Sequence, residues 1–134
     1  MDNSPIALLS ITPLYVALLG LLWVPLTLRV GLYRLKNQIN LGDGGDQELL
    51  QRIRGQGNFT ESVPIALVLL VVMELSGASY TWLHTLGALL LAGRLSHYLG
   101  ITRIGPAVCR PIGMVATISV YLVSGIWLLV AWGS

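Results

Sequence analysis

The sequence has few charged residues. Of its 134 residues only 10% are Asp, Glu, Lys or Arg, whereas 54% are hydrophobic. A soluble domain carries about 25% charged residues, so the chain is predicted to be an integral membrane protein with one domain over residues 1–134. No basic region precedes the first apolar segment, which argues against a cleavable signal or transit peptide. We therefore expect that segment to be retained.

Cysteine and histidine are also scarce, and this excludes several kinds of site. The single cysteine, Cys109, allows no intrachain disulfide. The two histidines, His84 and His97, lie toward opposite ends of one predicted helix, so no metal site is expected. His84 is expected to be structural, whereas His97 is either a packed side chain or a site residue. Phosphate-binding loops, dinucleotide fingerprints and Ser-His-Asp arrangements are absent.

Basic residues are missing from 55–93 and from 111 to the end of the chain. All eight are confined to two blocks, and they are Arg29, Arg34, Lys36, Arg52, Arg54, Arg94, Arg103 and Arg110. Clustered Lys and Arg beside membrane spans mark the cytoplasmic side. The blocks are not interleaved with aromatic residues, so no nucleic-acid partner is expected. Both basic loops are predicted to be cytoplasmic and both termini to lie on the other side.

The apolar runs predict an all-α, four-helix transmembrane bundle. The spans are roughly 6–28, 50–75, 80–100 and 109–132.

The second span depends on polar residues. Its strictly apolar part has only 11 residues, too few to cross a bilayer, which takes about 20. It reaches full length only if Arg54, Asn58 and Glu61 lie inside a helix that starts near Gln47, with Asp46 as its N-cap. At i, i+4 and i+7 these three side chains fall within roughly 60° of arc. We call them the polar stripe.

Charged groups in membrane segments cost about 2.5–3.5 kcal/mol each and usually face a bundle interior or a cavity. The polar stripe is therefore a candidate site, and several arginines are expected at the same end. Guanidinium groups bind carboxylates as bidentate partners, which favours an anionic ligand. The alternative is that arginines anchor the chain to lipid phosphate, and this is preferred for Arg34, Lys36 and Arg103. Glu61 either accepts a ligand ammonium or braces an arginine.

The pattern Arg54-x-x-x-Asn58-x-x-Glu61-x-x-Pro64 in the second of four spans resembles the signature of the membrane-associated proteins in eicosanoid and glutathione metabolism, the MAPEG family. The preceding run Leu41-Gly-Asp43-Gly-Gly-Asp46 is similar to the bacterial branch. The third-span run Gly93-Arg94-Leu-Ser-His97 and the later Arg110 also match the spacing of the family, so the resemblance covers nearly the whole chain.

The resemblance implies a homotrimer of four-helix subunits in a bacterial inner membrane. Glutathione would bind between neighbouring subunits near the cytoplasmic face. Arg54, Asn58 and Glu61 would hold its carboxylate and ammonium ends. Arg29 or Arg34 of the adjacent subunit would contact a further carboxylate.

The same resemblance implies an enzyme similar to microsomal glutathione transferases. Arg94 and His97 would line the glutathione site. Arg110 would be the catalytic residue, because a guanidinium near a thiol raises the fraction of the nucleophilic thiolate. The expected reactions are transfer of the thiolate to lipophilic electrophiles and reduction of lipid hydroperoxides.

Four positions depart from the pattern of the family, and at Gly57, Ile101 and Pro111 the departure is from its eicosanoid-forming members. Gly57 replaces a second arginine, Gln56 replaces a histidine, Ile101 replaces a tyrosine and Pro111 replaces a serine. These departures argue against eicosanoid chemistry. They also leave open a non-catalytic trimer that holds lipid or another thiol in the intersubunit cleft. A small transporter is a weaker alternative, because it would need an ionisable residue near mid-bilayer.

Overall fold

The computed structural model of the chain describes residues 9–133 and contains four α-helices joined by short loops. Their bounds are α1 Thr12–Asn37, α2 Gln47–Leu75, α3 Tyr80–Ile101 and α4 Cys109–Gly133. The all-α prediction is confirmed. The expected start of the first span at Ile6 lies outside the described residues, and the helix itself begins only at Thr12.

Three of these helices are long and apolar enough to cross a membrane, namely α1, α2 and α4. The third helix, α3, does not meet that threshold, because Arg94, two histidines and several small polar residues lower its hydropathy. The fold is thus a helical membrane bundle in which α1, α2 and α4 qualify as spans by length and composition. That α3 also crosses the membrane stays a prediction.

Local capping residues explain where α1 ends, where α2 begins and how the two are connected. α1 has a proline in its first turn and is followed by the C-cap residue Gln38, which adopts a left-handed backbone with φ 56°. Asp46 caps α2 as predicted, since its carboxylate accepts the backbone N–H groups of Glu48 and Leu49 at 2.8 and 3.0 Å. The hydroxyl of Tyr33 donates to the same carboxylate at 2.9 Å and ties the cap to α1.

Consecutive helices run in opposite directions, so the bundle has two distinct ends. At the arginine end α1 and α3 finish and α2 and α4 begin. At the opposite end α1 and α3 begin and α2 finishes, and there Glu74 of α2 caps α1. One oxygen of Glu74 accepts the N–H groups of Ser10 and Ile11, both at 2.7 Å, and the other accepts that of Thr12 at 2.8 Å. No side chain of α1 itself supplies this cap.

The most extensive contact between two of the described helices is that of α3 with α4. A Cβ on Gly113 of α4 would lie 2.6 Å from the backbone nitrogen of His97 and would also collide with the carbonyl of Gly93. Inside a bilayer, helices associate through van der Waals packing and hydrogen bonds, which small residues permit by letting backbones approach. Gly113 is therefore required for the contact that places α4 beside the polar residues of α3.

Candidate functional site

The polar stripe lies inside α2, as the length of the apolar run predicted. Arg54 and Glu61 are exposed on the surface of the single chain, and Asn58 is half-buried. Within residues 9–133, the side chains of Arg54 and Glu61 make no hydrogen bond or ion pair. These two charges are therefore available to a ligand or to another subunit.

Arg94 is the most deeply buried charge, with 2% of its surface exposed. Its guanidinium donates to Oδ1 of Asn58 at 2.8 Å and to the carbonyl of Gly113 at 3.0 Å, so it links α3 to both α2 and α4. In the part of the chain that the structure describes, no carboxylate pairs with it, and its Nε has no partner. Because the amide oxygen of Asn58 is occupied, its NH₂ group is the end left to donate, and it faces the sulfur of Met114 at 3.6 Å.

His97 and Arg110 lie on either side of the close contact between α3 and α4. His97 is 5% exposed, and its ring makes no hydrogen bond with any described residue. Arg110 lies in the first turn of α4 with its side chain exposed, and its backbone packs directly against Gly100 of α3. Its guanidinium has no partner between residues 9 and 133.

The two arginines expected from the first helix have different surroundings. Arg29 donates from Nη1 to the hydroxyl of Tyr98 in its own chain at 3.1 Å and lies over the ring of that tyrosine. Arg34 is half-buried, and its Nη1 has no partner in the described region. The structure therefore brings Arg94 and Asn58 into direct contact. It leaves Arg54, Glu61 and Arg110 unpaired on the surface and places Arg29 against α3.

Three residues near the site were not found by sequence reasoning. The carbonyl of Gly113 and the sulfur of Met114 hold Arg94 and Asn58, and Met114 could have been found because it lies one helical turn beyond Arg110. Arg52 was treated only as part of a basic block. It forms an ion pair with Glu48, one helical turn earlier, and this i, i+4 spacing is a recognisable signal.

The opposite end of the bundle holds the other histidine, away from the polar stripe. The hydroxyl of Tyr15 lies 3.0 Å from Nδ1 of His84 and 3.1 Å from its carbonyl. This contact joins the starts of α1 and α3 and agrees with a structural role for His84. Among residues 9–133 no group of three or more His, Cys, Asp or Glu could hold a metal ion.

The sequence of the chain matches a known family. The family model of the MAPEG family covers residues 12–130 of the chain. The chain belongs to the MAPEG family. One relative is the Inner membrane protein YecN of Escherichia coli (strain K12), 42% identical over 90 residues, which are 67% of this chain and 69% of that protein. The protein of the same name from Escherichia coli O6:H1 (strain CFT073) gives the same values.

Membership of the MAPEG family confirms the resemblance carried by the polar stripe. It accounts for a polar motif in the middle of a chain that is otherwise apolar, and for the arginines that accompany it at one end of the bundle. The name of the relative records a membrane location and no reaction, so the reaction has to be argued from the site.

Proposed function

We propose that the protein is a glutathione-dependent membrane enzyme that transfers the glutathione thiolate to lipophilic electrophiles or reduces lipid hydroperoxides. The observation that supports this most directly is made at the arginine end, where charged side chains without a partner lie near a buried arginine that is held by hydrogen bonds. Arg54, Glu61 and Arg110 have no partner in the described chain, whereas Arg94 is fixed by Asn58 and Gly113. A braced framework beside unpaired charges is suited to binding a charged ligand.

The charges of the polar stripe complement those of glutathione, which has two carboxylates and one ammonium group. Arg54 is assigned to a carboxylate, because guanidinium binds it in a bidentate manner. Glu61 is assigned to the ammonium. Asn58, whose oxygen is held by Arg94, is assigned to a peptide carbonyl through its NH₂ group.

The remaining predicted residues surround this core of the site. Arg94 acts on the ligand through Asn58, and His97 forms the wall of the site against α4. Because Arg29 is held by Tyr98 of its own chain, the further carboxylate contact is assigned to Arg34 of a neighbouring subunit.

Arg110 is assigned to the thiol end of the ligand. Its positive charge favours the thiolate, whose proton passes to solvent. In transfer, the thiolate forms an S–C bond and the leaving group departs with its electron pair. In hydroperoxide reduction, the thiolate forms an S–O bond as the O–O bond breaks, which gives an alcohol after protonation. A second glutathione then converts the sulfenic acid to disulfide and water.

The outward face of α2 supports assembly with further copies of the chain. Residues on that face recur at alternating intervals of four and three, and they are Arg54, Asn58, Glu61, Ile65, Val68, Val72 and Leu75. Such spacing keeps one face of a helix against a partner helix. Lipid-exposed charge is costly, so a partner that covers the face stabilises the charged residues. We assign this face to a homotrimer.

The membrane supplies the second substrate, since lipophilic electrophiles and lipid hydroperoxides concentrate in it. The confinement of all eight basic residues to one end supports a cytoplasmic arginine end, with both termini on the other side of a bacterial inner membrane. Cytoplasmic glutathione would then reach the site directly.

Calorimetry with glutathione on the detergent-solubilised protein tests the proposal. We expect saturable heat, and we expect Arg54→Ala to weaken binding about tenfold or more, because hydrogen bonds to charged groups contribute about 1.5–3 kcal/mol. Lys36→Ala is the matched control, since it removes one exposed positive charge at the same end without touching the site. Absence of heat at millimolar glutathione would reject the proposal.

The second candidate, a non-catalytic trimer that holds lipid or another thiol, is favoured by Gly57. A Cβ there would have only the Glu61 carboxylate within 4 Å, at 3.9 Å. The position therefore leaves open the space that an arginine fills in some relatives. Native mass spectrometry separates the candidates: a co-purified phospholipid that glutathione does not displace supports the second.

A further inference from the structure

A second polar region at the arginine end lies outside the polar stripe. A cleft of about 390 Å³ opens between α1, α2 and α3, a volume in the range of small-molecule sites. Three arginines line it from separate segments: Arg29 from α1, Arg52 from α2 and Arg103 from the loop after α3. No residue of the polar stripe lines this cleft, whose α2 wall lies roughly a quarter-turn round the helix from the stripe.

The charges in this arginine cleft do not balance. Glu48 is the single carboxylate among its lining residues, and it is already paired with Arg52. Arg29 donates one hydrogen bond to the Tyr98 hydroxyl, and its other donors have no partner in residues 9–133. Arg103 makes no side-chain bond to any described residue. Three guanidiniums against one carboxylate leave a formal charge of +2.

Neutral groups hold two of the arginines in place without cancelling their charge. The Arg29 guanidinium lies 5.4 Å from the ring centre of Tyr98, and that of Arg52 lies 4.3 Å from the ring centre of Tyr33. Arg52 also donates to the backbone carbonyl of Arg29 at 3.1 Å, which fixes the Arg52 side chain against the backbone of α1. The site is thus ordered before any ligand arrives.

The third arginine occupies an unfavourable backbone conformation. Arg103 has φ 58°, in the left-handed region, which costs a non-glycine residue about 1–2 kcal/mol. Glycine would fit this turn without strain, yet the chain has an arginine here that lines a positively charged cleft. Strain of this kind is concentrated at functional sites.

We propose that the arginine cleft is a second anion site, which binds a phosphate group. A phosphate monoester carries about −1.5 to −2 charges at neutral pH, and this matches the charge of the cleft. Its oxygens accept bidentate bonds from guanidinium. Glutathione fits less well there, because its ammonium would meet no free carboxylate. The phosphate belongs either to an anionic lipid headgroup or to a soluble ester.

Two probes distinguish these sources on the protein in a neutral detergent. One arm is calorimetry with inorganic phosphate, with chloride at equal ionic strength as the reference. The other is native mass spectrometry with dioctanoyl phosphatidic acid, with dioctanoyl phosphatidylcholine as the zwitterionic reference lipid, which has no net charge. If inorganic phosphate binds saturably and phosphatidic acid does not, the ligand is a soluble ester. If phosphatidic acid binds and inorganic phosphate does not, the ligand is a lipid headgroup. If both bind, the tighter probe assigns the source.

Arg103→Gly is the decisive variant, since glycine suits the backbone and the fold is preserved. We expect it to weaken binding of the responding probe about tenfold, whereas Lys36→Ala, which removes an exposed charge outside the cleft, changes it less than about twofold. Equal losses in the two variants, or no saturable binding of either probe, would overturn the proposal.

The proposal is separable from the proposed glutathione chemistry, because its readout contains no glutathione. Calorimetry with glutathione on Arg103→Gly adds a further check. Unchanged glutathione affinity supports two sites. A loss as large as that for phosphate would show that the cleft and the glutathione site are the same, and would overturn it.

Discussion

Charged groups at the two ends of the helical bundle have different surroundings. At the end where α1 begins, the Glu74 carboxylate accepts three backbone N–H groups of the same chain. At the arginine end, Arg54, Glu61 and Arg110 are exposed and have no partner in the region from residue 9 to 133. An acid whose hydrogen bonds are all internal stabilises the fold. Charges left unpaired beside a buried, braced arginine are available for binding.

The largest effect that this comparison predicts is on turnover. Arg110→Ala should lower the rate of glutathione transfer to a lipophilic electrophile about 10²–10³-fold, the loss typical of removing one group that stabilises developing negative charge. Glutathione affinity should change much less, because Arg110 is assigned to the thiol and not to the carboxylates. Steady-state kinetics on Arg110→Ala and Arg110→Lys measure this. Undiminished turnover in Arg110→Ala would remove the assigned role.

The second largest effect is expected at the close contact of α3 with α4, which holds the arginine end together. Gly113→Ala should lower stability by about 2–3 kcal/mol, since the new methyl group would collide with the backbone of His97. Gly125→Ala, on the same helix with nothing within 4 Å, should be neutral or stabilise by up to about 1 kcal/mol. Thermal unfolding in detergent compares the two variants. Equal effects would contradict the packing argument.

A smaller effect separates the two ends directly. Glu74→Gln should lower stability by about 1–2 kcal/mol, because a charged cap of α1 becomes neutral, and it should leave glutathione binding unchanged. Glu61→Gln should do the reverse, with stability altered by less than about 0.5 kcal/mol and weaker glutathione binding. Thermal unfolding and calorimetry on both variants decide the matter. If Glu61→Gln unfolds at the lower temperature, the division between the ends is wrong.

A gain of function tests the effect of Gly57, which lies beside the polar stripe and has no side chain to bind a ligand. Gly57→Arg adds a guanidinium beside Glu61, at the position where the family resemblance leads us to expect a second arginine, so glutathione affinity should rise a few-fold. Gly57→Ala separates charge from helix propensity, which improves by about 1 kcal/mol in both variants. An equal rise in affinity for both would show that Gly57 affects only the helix.

Local signals predicted much of the fold. The short apolar run of α2 forced the polar stripe into the helix, and Asp46 preceded the helix as an N-cap. Both features depend on residues close together in sequence, and both are confirmed. The four helices follow from the same kind of signal. Whether α3 crosses the membrane stays a prediction, because Arg94 and two histidines lower its hydropathy relative to the other helices.

Features that depend on distant residues could not be predicted. The capping of α1 by Glu74 is one such feature, because its partners lie 62–64 residues away in the sequence. Arg94 was expected to line a ligand site, but its neutral partners come from two other helices, and no pattern encodes such a pairing. The left-handed conformation of Arg103 was equally hidden, since only glycine would have announced it.

The smallest predicted effect is a pH dependence at the arginine end. Hydrogen bonds from the backbone N–H of Leu49 and from the Tyr33 hydroxyl hold the pKa of the Asp46 carboxyl below its usual value. An unfolded aspartate titrates near pH 3.9, so the folded state binds fewer protons in this range. The contribution of this cap to stability is therefore complete above about pH 4 and is lost as the pH falls through the lower folded value.

The variant Asp46→Asn keeps a hydrogen-bond acceptor at the cap but cannot titrate. Below about pH 4 its unfolding temperature should therefore fall less with decreasing pH than that of the native chain. Parallel melts at a series of pH values compare the two, and identical curves would show that the link between α1 and α2 does not depend on the charge of Asp46.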